Sequence, residues 1–311
     1  MHRRIAQQKN RGLGLILIIA CVFLFFLVKP DYYSNRIVHL LLDSGHILFF
    51  YIFSIWLALR IGELPAHQHL AATIVFTAAI GTLIEVGQHY IGRSASLHDV
   101  YRDVLGATFY CVIYLNKKQN KHNHYLKFIF LFVLTLIMVD QRKLFIALKL
   151  EIEMYKNFPA LVSFNSPYAL ANWDGEELQI SESTLDSKHY IKAKLEADKP
   201  YSTLTLKHFV KNWEDYNYLE IYLYLPSNKA LNICFKITDR QHNRENPTYQ
   251  NRFNFCQNIH SGLNHFKIPL IEIKTSPLKR KLDLSDLSEV TIFSKNLKVD
   301  KNIYIYGIEL S

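Results

Sequence analysis

"IEVGQHYIGRSASLHDVYRDVLG", residues 84–106, crowds Glu85, Gln88, His89, Arg93, Asp99, Arg102 and Asp103 between two segments, 73–83 and 104–115, that are almost wholly apolar. Ionisable groups at the join of two oily runs read as the turn between two membrane spans. A charge at the bilayer centre costs roughly 2.5–3.5 kcal/mol on insertion scales and much less near the interface, so polar groups gather at span ends or pair inside the bundle.

Outward from this turn, residues 12–139 carry five apolar runs, near 12–28, 46–59, 70–84, 100–115 and 125–139, each at or below the roughly 20 residues a hydrocarbon core needs. The first follows Arg3, Arg4, Lys9 and Arg11. No small-residue cleavage site follows it in "FFLVKPDYY", so it reads as an uncleaved anchor rather than a signal peptide. Lysine and arginine favour the side of the N-terminus, nine against seven, which puts the N-terminus in the cytoplasm and the C-terminal half outside it. The formal charge of +9 is no nucleic-acid signal, because much of it lies at span ends, where it meets anionic headgroups.

After the fifth run, Leu144, Leu148, Ile152 and Tyr155 recur at helical spacing, so 141–158 reads as an amphipathic helix at the membrane surface. The pattern then switches to period two. In "YLEIYLYL" (218–225), Leu219, Ile221, Leu223 and Leu225 share one face, with Tyr218, Glu220, Tyr222 and Tyr224 on the other. Seven similar stretches predict an antiparallel, jelly-roll-like β-sandwich over 159–311, following a transmembrane domain over 1–140.

Candidate site residues fall in two groups. Glu85, Gln88 and His89 share a helix face, as do Asp99, Arg102 and Asp103, and Asp43 and His46 have the same spacing. If the spans alternate in direction, all of them meet at the outer end of the bundle. They read as a functional cluster, with Glu85, Asp99 and Asp103 as the catalytic candidates, or as a pairing network that only ties helices together. In the sandwich, Asp239, Arg240, His242 and Arg252 surround a hairpin connection, and Tyr222 and Tyr224 could stack on a sugar ring. Cys234 and Cys256 would face each other if the strands flanking "DRQHNRENPTYQN" (239–251) pair with Asp239 opposite Asn251; a bridge needs Cα atoms within about 7 Å. No Cys/His ligand spacing, phosphate loop or nucleophile elbow occurs, so no metal or cofactor is expected.

The run Glu85-x-x-Gln88, then Arg93-x-x-Ser96-x-x-Asp99-Val100 and Gly106, resembles the signature of VanZ-like membrane proteins. "LLDSGHILFFYIFSIWL" (41–57), with Asp43 three residues before His46, resembles that family's other signature. Asp103 stands where the family more often has asparagine. The resemblance covers about 12–140 and implies a helical bundle in the bacterial cell membrane; within the polar cluster Asp43, His46, Gln88, Arg93 and Ser96 are the ligand-binding candidates. It implies no reaction. "NWDGEEL" (172–178), "FKITDRQHN" (235–243), "YQNRFNF" (249–255) and "GLNHFKIPL" (262–270) are similar to segments of galactose-binding-like jelly rolls attached to glycan-active proteins. Together these imply an accessory protein that binds an envelope glycan or a lipid-linked saccharide, with membrane lipids as the other partner and nucleic acid as none. The alternatives are a membrane enzyme on a lipid-carrier intermediate, with Glu85 and Asp99 or Asp103 as acid and base and Arg93 as a phosphate clamp, and a lipid or glycan transporter.

Overall fold

The structure, a computed structural model, describes residues 36–61, 64–90, 95–118, 123–162, 164, 166, 168–175, 177–182, 189–245 and 247–311. The chain divides into two compact units, up to Ala147 and from Leu148.

The first unit holds α1 (Arg36–Ile61), α2 (Ala66–Tyr90), α3 (Leu97–Lys118), α4 (His124–Asp140) and the start of α5 (Arg142–Asn157). Ser96 caps α3 by accepting from the His98 amide at 3.2 Å, and Asn123 caps α4 by accepting from that of Tyr125 at 3.1 Å. Helix α3 is the hub. Its Gly106 lies so close to α1 that a Cβ there would overlap the Ile47 carbonyl oxygen, and Glu85 of α2 accepts from the Ser96 amide at its start. Helix α2 buries a polar stripe of His69, Thr73, Thr77, Gly81, Glu85 and Gln88 at turn spacing and exposes Val75, Phe76, Leu83 and Val86. His89, expected on the Glu85 face, is exposed. Helix α4 likewise exposes Phe128, Leu131, Phe132 and Val139.

Among the described residues, two helices, α1 and α2, are long and apolar enough to cross a membrane. The expectation of about five spans is thus met in part. Helix α3 carries Asp99, Arg102, Asp103, Lys117 and Lys118, α4 has only 17 residues, and the run 12–28 lies outside the described residues. The helix foreseen over 141–158 is present as α5. Its buried face is Ala147, Leu150 and Met154, while Leu148, Ile152 and Tyr155 of the anticipated stripe are exposed.

The second unit is an antiparallel sandwich of two five-stranded sheets. One has the order β2 (Gln179–Glu182), β3 (His189–Leu195), β10 (Lys301–Leu310), β5 (Tyr218–Leu225), β8 (Gly262–Pro269). The other has the order β1 (Trp173–Gly175), β4 (Tyr201–Leu206), β9 (Leu287–Lys295), β6 (Leu231–Asp239), β7 (Phe253–Ile259). Leu219, Ile221, Leu223 and Leu225 are all fully buried, as period-two alternation requires when one sheet face packs on another. Trp213 is also fully buried in this core, with its indole N–H donating to the Val210 carbonyl at 2.8 Å. Cys234 pairs with Cys256 across β6 and β7, with Cα atoms 4.0 Å apart, and the two form a disulfide. The hairpin has the expected register, with the short helix α6 (Arg240–Glu245) in its connection; a second short helix, α7 (Leu270–Thr275), follows β8.

Candidate functional site

In the helical unit the expected residues do converge. Helices α1 and α3 run parallel, while α2 and α4 run antiparallel to α3, so the N-terminal ends of α1 and α3 meet the C-terminal ends of α2 and α4. There His46 Nδ1 lies 2.8 Å from Asp103 Oδ1, with the two residues 1% and 0% exposed. Arg102 is shared by three carboxylates: Asp99 at 2.8 Å, Asp140 at 3.1 Å and Asp43 at 3.6 Å. Such buried ion pairs hold geometry more than they add stability, because desolvation offsets much of the attraction.

Glu85 accepts from the Ser96 backbone amide at 2.7 Å, so Ser96 acts as a cap and a backbone donor through atoms any N-cap serine offers. Gln88 is buried one turn beyond Glu85. Arg93 lies outside the described residues. Three residues, His46, Glu85 and Asp99, bring one ligand atom each within 4.8 Å of one another, a set able to hold a cation. Asp140, Gln141, Ser44 and His98 also join this end: Gln141 donates to Asp140 at 2.8 Å and contacts Ser44, and His98 lies 3.2 Å from Asp140. Sequence reasoning passed over Asp140. Its only signal is a carboxylate directly after the fifth apolar run, where a span end is free to be polar for no reason.

In the sandwich the six candidates do not form one site. Tyr222 and Tyr224 are on β5, in the first sheet, whereas Asp239 to Arg252 connect β6 and β7 of the second. The connection is not an open polar loop. Asp239 is fully buried, gripped by both terminal nitrogens of Arg280 and by the amides of His242 and Asp283, and these bonds hold its carboxyl below the usual range despite burial. His242 is buried with Nδ1 3.0 Å from the Asn251 carbonyl, and burial lowers its pKa. Arg240 pairs with Asp286 at 2.9 Å. Arg252, half-buried, donates to Asn254 at 3.1 Å and lies over the Tyr249 ring. Two of these four are therefore fastened inside the fold.

The outer face of the first sheet is aromatic. Tyr224 of β5 pairs with Tyr304 of β10, and a bulge at Tyr306 sets Gly307 opposite Tyr222. The Tyr190 ring stacks on Tyr304 at 4.9 Å and on Tyr306 at 5.2 Å, and Tyr224 stacks on Tyr304 at 5.8 Å. None of these rings is fully buried. Beside them Glu220 accepts from Ser311 at 2.7 Å, Lys267 at 3.0 Å and Tyr222 at 2.8 Å, and meets His265 at 2.9 Å. The bonds from Ser311, Lys267 and Tyr222 pull its pKa down to about 2, and the same carboxylate pushes the Tyr222 phenol up to about 12. His265 stacks on Tyr222 with centroids 4.4 Å apart. The alternation in "HYIKAKL" and "NIYIYGIEL" points these tyrosines outward; what sequence hides is that β10 lies between β3 and β5.

No family model matches the chain, and no curated protein matches it. Among solved structures, it is similar to a family 11 carbohydrate-binding module from Clostridium thermocellum in complex with a β-1,3-1,4-mixed-linked tetrasaccharide, at 14% identity and TM-score 0.36 over 49% of this chain and 94% of that one. A carbohydrate-binding module specific for non-crystalline cellulose gives 14% identity and TM-score 0.33 over 50% and 93%. An exo-β-agarase gives 13% and 0.38 over 49% of this chain and 24% of that one. Likeness at this identity and TM-score assigns no ligand to this chain.

Proposed function

We propose that this protein is a VanZ-like integral membrane protein of the bacterial cell envelope, whose extracytoplasmic sandwich binds an envelope glycan or lipid-linked saccharide as an accessory to other machinery. The observation that carries the glycan reading is the ladder of Tyr190, Tyr304, Tyr306 and Tyr224 beside the Glu220, His265 and Lys267 cluster. Aromatic faces accept the apolar face of a pyranose, and a few fixed polar groups select its hydroxyls. The membrane reading is supported by the inverted burial of α2, polar inside and apolar outside, which suits a lipid solvent and would leave a large sticky patch in water. In this reading the run 12–28 and α1 to α4 are five spans, and α5 rests Leu148, Ile152 and Tyr155 on the headgroups. The Cys234–Cys256 bridge suits an oxidising compartment, in agreement with the charge bias that puts the C-terminal half outside.

The test is calorimetry of the full chain in detergent with envelope polysaccharide fragments. Binding should weaken about tenfold in Tyr304→Ala or Tyr224→Ala, from loss of stacking worth roughly 1–1.5 kcal/mol, and should be unchanged in Arg252→Ala. Silence from a folded chain makes a protein-interaction role the better account. Topology has its own test: a reporter fused after Ser311 should be active only outside the cytoplasm, and one fused after Asn120 only inside.

A further inference from the structure

We propose that His46, Glu85 and Asp99 form a divalent metal site at the polar end of the helical unit, with Asp103 positioning the histidine. The inference is independent of the glycan reading. The three residues come from three helices, α1, α2 and α3, and are separated by 39 residues or fewer only between neighbours in the chain, so no local motif announces them. One ligand atom of each lies within 4.8 Å of the others. Metal–ligand bonds of about 2.0–2.2 Å place opposite donors about 4 Å apart and neighbouring ones closer. Small side-chain rotations therefore close the set on an ion without moving the helices. His46 and Glu85 are buried and Asp99 is half-buried, so the site has a closed floor and one wetter side.

The donor set selects the ion. One imidazole with two carboxylates suits Zn²⁺, Mn²⁺ or Fe²⁺, whereas Mg²⁺ and Ca²⁺ prefer oxygen ligands alone. Arg102 is shared among Asp43, Asp99 and Asp140.

Two further observations point to a ligand. His46 Nδ1 is 2.8 Å from Asp103 Oδ1, the arrangement in which a carboxylate holds a ring as the tautomer that meets a metal through Nε2. Asp103 is 0% exposed, yet its Oδ2, packed over Gly81 one turn before Glu85, has no hydrogen-bond partner among the described residues; Gln88 Nε2, one turn after Glu85, also has none among them. Buried polar atoms left in this state are costly. A metal-bound water is the kind of group that donates to a carboxylate and accepts from an amide.

The test uses the full chain with a non-histidine affinity tag, stripped by chelator in detergent, incubated with Zn²⁺ or Mn²⁺, dialysed and measured by inductively coupled plasma mass spectrometry. The expected content is about one equivalent, falling to about a tenth or less in His46→Gln and Glu85→Gln, with affinity weakened about 10- to 100-fold in Asp103→Asn. Since a substitution in a buried cluster can itself unfold a bundle, the wild-type chain is also loaded with Co²⁺. Visible d–d bands that Zn²⁺ displaces report a protein-held ion with no residue changed. Less than about a tenth of an equivalent in the wild type together with no cobalt bands overturns the site, and so does full content retained in both ligand variants.

Discussion

In α2, Thr73, Thr77, Glu85 and Gln88 lie inside while Val75, Phe76, Leu83 and Val86 lie outside; in β5, Leu219, Ile221, Leu223 and Leu225 lie inside with Tyr222 and Tyr224 on the outer face. The same residue types thus occupy opposite places in the two units. In the sandwich, apolar area leaves water and the core holds the sheets together. In the helices, small and polar residues let backbones approach, as at Gly81 and Gly106, and in the proposed lipid setting hydrogen bonds and ion pairs would take the place of the hydrophobic drive. A burial pattern is therefore informative about the solvent a unit was built for, and a polar cluster means something different in each: structure-bearing at Asp239, and a constellation with orphaned atoms at Asp103.

The comparison is broken most directly in the sandwich core. Ile221→Ala, at a fully buried position, should remove roughly 2–5 kcal/mol from the unfolding free energy of the sandwich, read from its denaturant transition; a loss no larger than that of a surface substitution would mean this core is not packed as described. Next in size is the bridge. Closing a loop between residues 22 apart contributes about 3 kcal/mol in the chain-entropy account, so reductant or the Cys234→Ala/Cys256→Ala double variant should lower the sandwich transition by that amount and leave the helical unit alone.

A sharper contrast comes from two glycines of the helices. Gly106→Ala drives a Cβ into the Ile47 carbonyl, a backbone atom that cannot rotate away, and should cost about 1–3 kcal/mol, seen as a fall in monodisperse protein in detergent. Gly87→Ala has nothing within contact distance and should be neutral or favourable by up to about 1 kcal/mol. Equal behaviour of the two would remove the close α1–α3 approach.

The smallest effect is a pH dependence. Glu220 has its pKa depressed from 4.5 to about 2 in the folded sandwich, so its contribution is present above pH 4.5 and is lost as pH falls towards 2. Thermal unfolding of the sandwich across that window should fall less steeply in Glu220→Gln, which carries no titrating carboxyl.

Much of this architecture is legible in the chain. All eight strands read from alternation are present, and the two missed, β1 and β2, are three and four residues long, too short to show a period. The register that sets Cys234 opposite Cys256 follows from counting inward from Asp239 and Asn251. In the helical unit, Asp43, His46, Glu85, Gln88, Asp99 and Asp103 are readable as one end of a bundle because i, i+3 and i+4 spacing survives any packing. On α5 the stripe of Leu148, Ile152 and Tyr155 is exposed, and the buried face of Ala147, Leu150 and Met154 was not legible, since a helix with apolar residues on more than one face does not say which face its neighbour will cover.

Sequence by itself determined the local periods, and hence where helices stop and strands begin, because backbone geometry repeats every 3.6 or 2 residues whatever lies around it. Only the tertiary structure decided which polar groups are spent on the fold and which are left over. Asp239 and Asp103 are both aspartates at the edge of an apolar run, yet one is saturated by Arg280 and two amides while the other keeps an oxygen with no partner among the described residues. Partners so distant in the chain are chosen by packing, and no local pattern carries that choice.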